Sequence, residues 1–96
     1  MAAGLIIAYV DVTDPQQYEQ YKVLSSRAMQ AHGAEVLVRG GKTEQLEGEW
    51  APTRVVVLKF QSFEAAKAFY DSEEYLAARQ SRKHAAKMNM IVVEGV

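Results

Sequence analysis

Three groups of residues in this chain have side chains and spacings suited to chemistry. Tyr18, Tyr21 and His32 recur at helical spacing on one face of a segment that opens at Pro15, so two phenols and an imidazole are expected to look the same way. His32 falls near the carboxyl end of that segment, where the helix dipole favours an imidazolium. It is a candidate catalytic acid or base, or a hydrogen-bond donor to a ligand, in a pocket shared with the two tyrosines. The plainer account bonds His32 to the last helix carbonyls and packs the tyrosines in the core, their hydroxyls reaching the surface.

Tyr75, Arg79 and Arg82 stand at i, i+4 and i+7 and share one face of the last helical segment, with Lys83 beside them. As a ligand site they form an anion clamp in which guanidinium forks grip a carboxylate and the phenol positions it. As structure, Arg82, Lys83 and Lys87 complement the helix dipole, and Glu47 or Glu49 could supply a counter-ion to Arg79 and Lys83. The third group, Arg39, Glu47, Glu49 and Arg54, brackets a central stretch with Gly40, Gly41, Gly48 and the single Trp50. It reads either as surface ion pairs of about 0–1 kcal/mol each, or as Glu47 or Arg54 turned into the pocket under a Trp50 lid. Trp50 is assigned to a subunit interface, and the three glycines to structural roles. The candidate set is therefore Tyr18, Tyr21, His32, Arg54, Tyr75, Arg79 and Arg82 for ligand binding, with His32 as the candidate catalytic residue.

Composition limits what these groups can do. The 96 residues carry 11 Lys and Arg against 12 Asp and Glu, a balance that offers no field for nucleic acid or a membrane surface. With no Cys there is neither a disulfide nor a thiolate nucleophile. His32 and His84 are too few and too far apart for a metal site. Arg39-Gly40-Gly41-Lys42 leads into polar loop rather than a helix, so it is no phosphate loop, and no Ser sits in a nucleophile elbow. No metal and no cofactor are expected. The apolar start, Leu5 to Val10, lacks a basic lead and soon meets Asp11, so it reads as a strand and not as a signal peptide or membrane span. A soluble, cytoplasmic protein of one domain, 1–96, is expected.

The elements that must position the candidate groups follow from pattern. Leu5–Val12 is an apolar run, a strand buried on both faces. Asp14 caps a helix with Pro15 in its first turn and Gln17 as a capping-box partner, and Gly33 ends it. Val36–Val38 is a short strand closed by Gly40-Gly41, where a positive φ or a bulge is permitted. A hairpin arm is conceivable through Thr43–Leu46. Thr53–Phe60 is the strongest strand signal. Ser62 caps a helix interrupted at Asp71-Ser72, after which Ser72 caps another with Glu73 and Glu74 in its first turn. Asn89–Glu94 is the last strand. The order βαββαβ is the ferredoxin-like plan, α+β with a four-stranded antiparallel sheet and helices on one face. Three of its strands are apolar on both faces, yet the helices cover only one. A second copy set sheet to sheet would bury ~500–800 Å² per subunit, roughly 12–20 kcal/mol gross before association costs. A two-fold homodimer is the consequence.

Those segments also resemble a known family. Asp11-Val12-Thr13-Asp14-Pro15, Tyr18, Tyr21, His32-Gly33, Val38-Arg39-Gly40-Gly41, Leu46-Glu47-Gly48-Glu49-Trp50, Arg54-Val55-Val56 and Phe60-Gln61-Ser62 carry the likeness. So do Glu64-Ala65-Ala66 and Ser72-Glu73-Glu74-Tyr75 with Arg79 and Arg82. The chain resembles domain-of-unknown-function family thirteen-thirty, within the dimeric α+β barrel superfamily. The resemblance implies the same ferredoxin-like subunit and the same dimer, and no particular activity. Leu5-Ile6 stands where members often have a Tyr-Trp pair. Three functions remain open: binding of a small anionic or aromatic molecule between sheet and helices, a cofactor-independent monooxygenase- or isomerase-like enzyme using His32, or a purely structural dimer.

Overall fold

In a computed structural model that describes residues 2–49 and 54–96, the chain begins with β1 (Gly4–Val12), α1 (Pro15–Ala31) and β2 (Glu35–Arg39). It continues through β3 (Arg54–Phe60), α2 (Phe63–Tyr70), α3 (Glu73–Ser81) and β4 (Ala86–Glu94). The strands form one antiparallel sheet in the order β2-β3-β1-β4. This is the ferredoxin-like plan, with the second helix divided in two at Asp71-Ser72.

Helix starts follow local chemistry. The Asp14 carboxylate accepts from Gln17 N at 3.1 Å, and Pro15 occupies a position whose N–H would be unpaired anyway. Ser62 and Ser72 cap α2 and α3 in the same way, accepting from Ala65 N and Tyr75 N. Gly33 takes the left-handed conformation that ends α1, at φ 68°. Gln17 departs from its expected role: its amide reaches across to the Ser81 carbonyl at 2.9 Å and ties α1 to the end of α3.

Strand alternation sets the layers. Ile6, Ala8 and Val10 of β1, with Leu58 and Phe60 of β3, face one way and pack on Tyr18, Tyr21, Ala28, Phe69, Tyr75 and Ala78 of the helices. Phe69 is wholly buried and stacks at 4.7 Å on Tyr75 and 5.0 Å on Phe60. The other face carries Leu5, Ile7 and Tyr9, with Val55, Val57, Ile91 and Val93 beside them in register. One cross-strand row runs Val38, Val57, Ile7, Ile91, apolar across all four strands. Ile91 is 54% exposed and Val38 37%.

Several expected boundaries move. β4 starts at Ala86, not Asn89, because Val12 and Asp11 of the long β1 still pair with Ala86 and Lys87. No strand forms in 41–49, so the hairpin arm through Thr43–Leu46 is absent, and Leu46 is exposed. The bulge lies inside β2 between Val36 and Val38 rather than at the glycine pair, and only Gly40 of that pair has a positive φ. Trp50 and Thr53 lie outside the described residues. No helix of the described residues is long and apolar enough to cross a membrane.

Candidate functional site

The site lies between the sheet and the pair α1 and α3. These helices run in opposite senses and are joined along their length by three polar contacts. Gln17 meets the Ser81 carbonyl at one end. Mid-way, the hydroxyls of Tyr21 and Tyr75 share a buried hydrogen bond of 2.6 Å. At the other end His32 Nε2 lies 2.7 Å from Glu74 Oε1, joining the carboxyl end of α1 to the acidic first turn of α3.

The cleft beside the central contact has a floor of Ile6, Ala8, Val10, Leu58 and Met90. Its walls are Tyr18, Tyr21 and Tyr75, with Ser25 and Met29 from α1 and Met88 from β4. Free space within it is about 20 Å³, room for about one water molecule. At Lys22, Arg39 and Arg54 the cleft meets a shallow basin on the outer side of α1 that also carries Glu19, Arg27 and Gln30. Arg39 is tied to α1 by a 2.6 Å bond to Ser26 Oγ.

The arginines are unequal. Arg54 lies over the Tyr18 ring, 5.8 Å from Cζ to centroid, and Arg82 over Tyr21 at 5.6 Å. Arg79 turns instead to α2, where it covers the Tyr70 ring at 4.3 Å and donates to its hydroxyl at 3.1 Å. The helical face that joins Tyr75, Arg79 and Arg82 in sequence is thus divided: Tyr75 lines the cleft, Arg82 lies over the Tyr21 ring without lining it, and Arg79 forms a brace between α2 and α3. Nε of Arg54, Arg79 and Arg82 is buried without a hydrogen-bond partner among the described residues. The ion pairs among those residues join Lys22 to Glu19, His32 to Glu74 and Lys67 to Asp71. The expected network of Arg39 and Arg54 with Glu47 and Glu49 is not formed there; both glutamates are exposed.

Two of the phenols, Tyr18 and Tyr75, are held in the protonated form. Burial pushes the Tyr18 pKa up, helped by Tyr21 and opposed by Arg54 and Arg82. Burial likewise pushes Tyr75 well above its ordinary range, with Tyr21 adding to the rise and Arg82 opposing it. Desolvation outweighs the nearby cations at both positions.

His32 is not in this cleft. Its ring stands edge-on to Phe69 at 6.0 Å with 29% of the side chain exposed, so the imidazole and the two phenols of α1 do not share a pocket. Of the predicted ligand-binding set, Tyr18, Tyr21, Arg54 and Tyr75 line the cleft, Arg82 stands beside Tyr21 without lining it, and His32 and Arg79 stand apart. Lys22, Met88 and Gly40 were missed. Gly40 has φ 69°, and a Cβ there would occupy the space of the Arg54 guanidinium.

The family described as Domain of unknown function (DUF1330) matches residues 3–96. The chain belongs to that family. Among solved structures, an RPA0582 protein of unknown function from Rhodopseudomonas palustris is similar at 17% identity and a TM-score of 0.77, covering 99% of this chain and 83% of that one. A dimeric ferredoxin-like protein of unknown function from Thermobifida fusca is similar at 17% identity and a TM-score of 0.63, over 99% and 92%. A candidate antibiotic biosynthesis monooxygenase from Nitrosomonas europaea is similar at 16% identity and a TM-score of 0.60, over 98% and 90%. Likeness at these identities shows the fold that this DUF1330 chain shares with them. Among curated proteins none matches the chain.

Proposed function

We propose that this DUF1330 protein is a homodimer joined through the open faces of its two sheets, each protomer binding a small anionic or aromatic organic molecule in the cleft beneath α1 and α3. The observation that carries the ligand is Arg54 Nε, buried in the lining of the cleft and left without a partner among the described residues. The guanidinium lies against the Tyr18 ring, with Lys22 and Arg39 beside it at the mouth of a cleft whose interior is mostly apolar. A buried charge is costly unless compensated, and an anion set there would compensate it. As it stands the cleft holds about a water, so a ligand enters by displacing Met29, Met88 and Met90, whose unbranched thioethers re-pack cheaply.

The dimer is supported by the row Val38, Val57, Ile7, Ile91, apolar across all four strands, and its flanking Leu5, Val55 and Val93. The Thermobifida fusca relative is described as dimeric. The cofactor-free enzyme using His32 has weaker support, since no carboxylate or imidazole is among the described residues lining the cleft. The narrow interior favours a second reading, a dimer whose role is structural alone. Sedimentation of the protein with a thermal-shift screen of aromatic and aliphatic acids separates these. A dimer stabilised by such acids supports binding; a dimer that none of them shifts supports the scaffold; a monomer at all concentrations overturns the assembly.

A further inference from the structure

Arg54 is the first residue of β3, and its guanidinium is held on two sides. Tyr18 lies beneath it, and beside it is Gly40, whose missing side chain leaves the space that Arg54 Nη1 and Cζ fill. Gly40 is fixed there in its turn, since its N–H donates to the Val55 carbonyl at 2.9 Å and its φ is 69°. The guanidinium edge that carries Nε presents two parallel N–H groups, a spacing that matches the two coplanar oxygens of a carboxylate. Arg54 Nε is the buried, unpartnered atom of that edge. The protonated Tyr18 phenol is a further donor to an oxyanion, and Lys22 and Arg39 add positive charge where the cleft opens. The interior beside Arg54 is lined mostly by aliphatic, aromatic and methionine side chains, which suit a flat apolar body with a single charge better than a doubly charged phosphate or sulfate, whose desolvation costs more.

Resting on the reading that the cleft binds an organic anion, we infer that the group it takes is a carboxylate carried on a flat apolar body, gripped by Arg54, and that Gly40 is a specificity-determining residue because it leaves the guanidinium its seat. Gly40 touches no ligand; it acts through Arg54 as a positioning residue.

The test is calorimetric titration of the full chain with benzoate, benzamide and phenyl phosphate, in wild type, Arg54→Gln, Gly40→Asn and the double variant. Asn tolerates the left-handed φ of Gly40 while adding the Cβ that the seat excludes, so backbone strain and loss of the seat are kept apart. Benzoate is expected to bind wild type at least about tenfold more tightly than benzamide or phenyl phosphate, and each single variant to weaken benzoate by about tenfold or more. In the Arg54→Gln background Gly40→Asn adds no further loss, an outcome that a merely structural Gly40 would not give. Should Gly40→Asn not fold, Arg54→Gln alone decides the carboxylate. Benzamide binding as tightly as benzoate overturns the carboxylate and leaves cleft binding standing, as does phenyl phosphate binding more tightly. Wild-type affinity for benzoate in folded Gly40→Asn removes Gly40 from the assignment. No heat from any of the three probes in the millimolar range overturns both this inference and the binding reading on which it rests.

Discussion

The hydroxyls of Tyr21 and Tyr75 lie 2.6 Å apart in the interior, so the two phenols share one hydrogen bond, mid-way between the Gln17 and His32 contacts that also join α1 to α3. Removing either oxygen leaves the remaining one buried. Tyr21→Phe or Tyr75→Phe should therefore destabilise by about 1–3 kcal/mol, while the double variant costs less than the sum, because two apolar edges need no partner. Urea denaturation at one matched protein concentration measures the cycle. Strict additivity would mean that the two hydroxyls do not depend on each other.

Alkaline pH acts on the same pair of helices. Tyr18 and Tyr75 hold their protons in the folded chain above the ordinary value of 10.0. In the unfolded chain they ionise near it, so above that pH the unfolded state binds fewer protons than the native one. Stability from this source is fully present below about pH 10 and falls as pH climbs toward the folded values. Ultraviolet titration of phenolate should show native protein lagging behind protein in urea, and Tyr75→Phe should narrow the lag. Coincident titration curves would contradict the burial that raises both groups.

How far the sequence revealed this arrangement depended on whether a residue's fate was local. Asp14, Pro15, Ser62, Ser72 and Gly33 set helix ends by short-range bonds and sterics, and they stand where pattern places them. Tyr18 and Tyr21 were legible as an inward face because their helical spacing is regular. Tertiary competition decided the rest. Arg79 and Arg82 share a helical face, yet the Tyr70 ring on a neighbouring helix captures Arg79. His32 lies about 16 Å along the axis from Tyr21, which carries it past the cleft to Glu74 on α3. Met88 was overlooked because strand propensity alone does not show that β1 is long enough to hold β4 in register back to Ala86. Gly40 and Arg54 are far enough apart in sequence that only the fold shows one making room for the other.

His32 is positioned as a brace, and its replacement should behave as one. His32→Ala removes a partly exposed contact with Glu74, worth at most about 1 kcal/mol, and leaves Phe69 with one less neighbour. A small fall in melting temperature is expected, with the dimer intact and benzoate affinity unchanged. Loss of binding in a folded His32→Ala protein would return the imidazole to the cleft.

The open sheet face gives the sharpest test of assembly. Ile7 sits at the centre of the row formed with Val38, Val57 and Ile91, on the central strand, so in a face-to-face dimer it lies far from water. A carboxylate there would be desolvated by the partner with no cation directly opposite in its row, and buried unpaired charge costs several kcal/mol. In the separate subunit the same side chain points away from the helices and disturbs little of the core. Ile7→Glu should therefore sediment as a folded monomer with its helical circular dichroism retained. Lys59, at the polar edge of the same face beside Leu5, supplies the control, since Lys59→Glu changes charge without entering the apolar row and should remain dimeric. An Ile7→Glu protein that stays dimeric would place the contact between subunits elsewhere on the molecule.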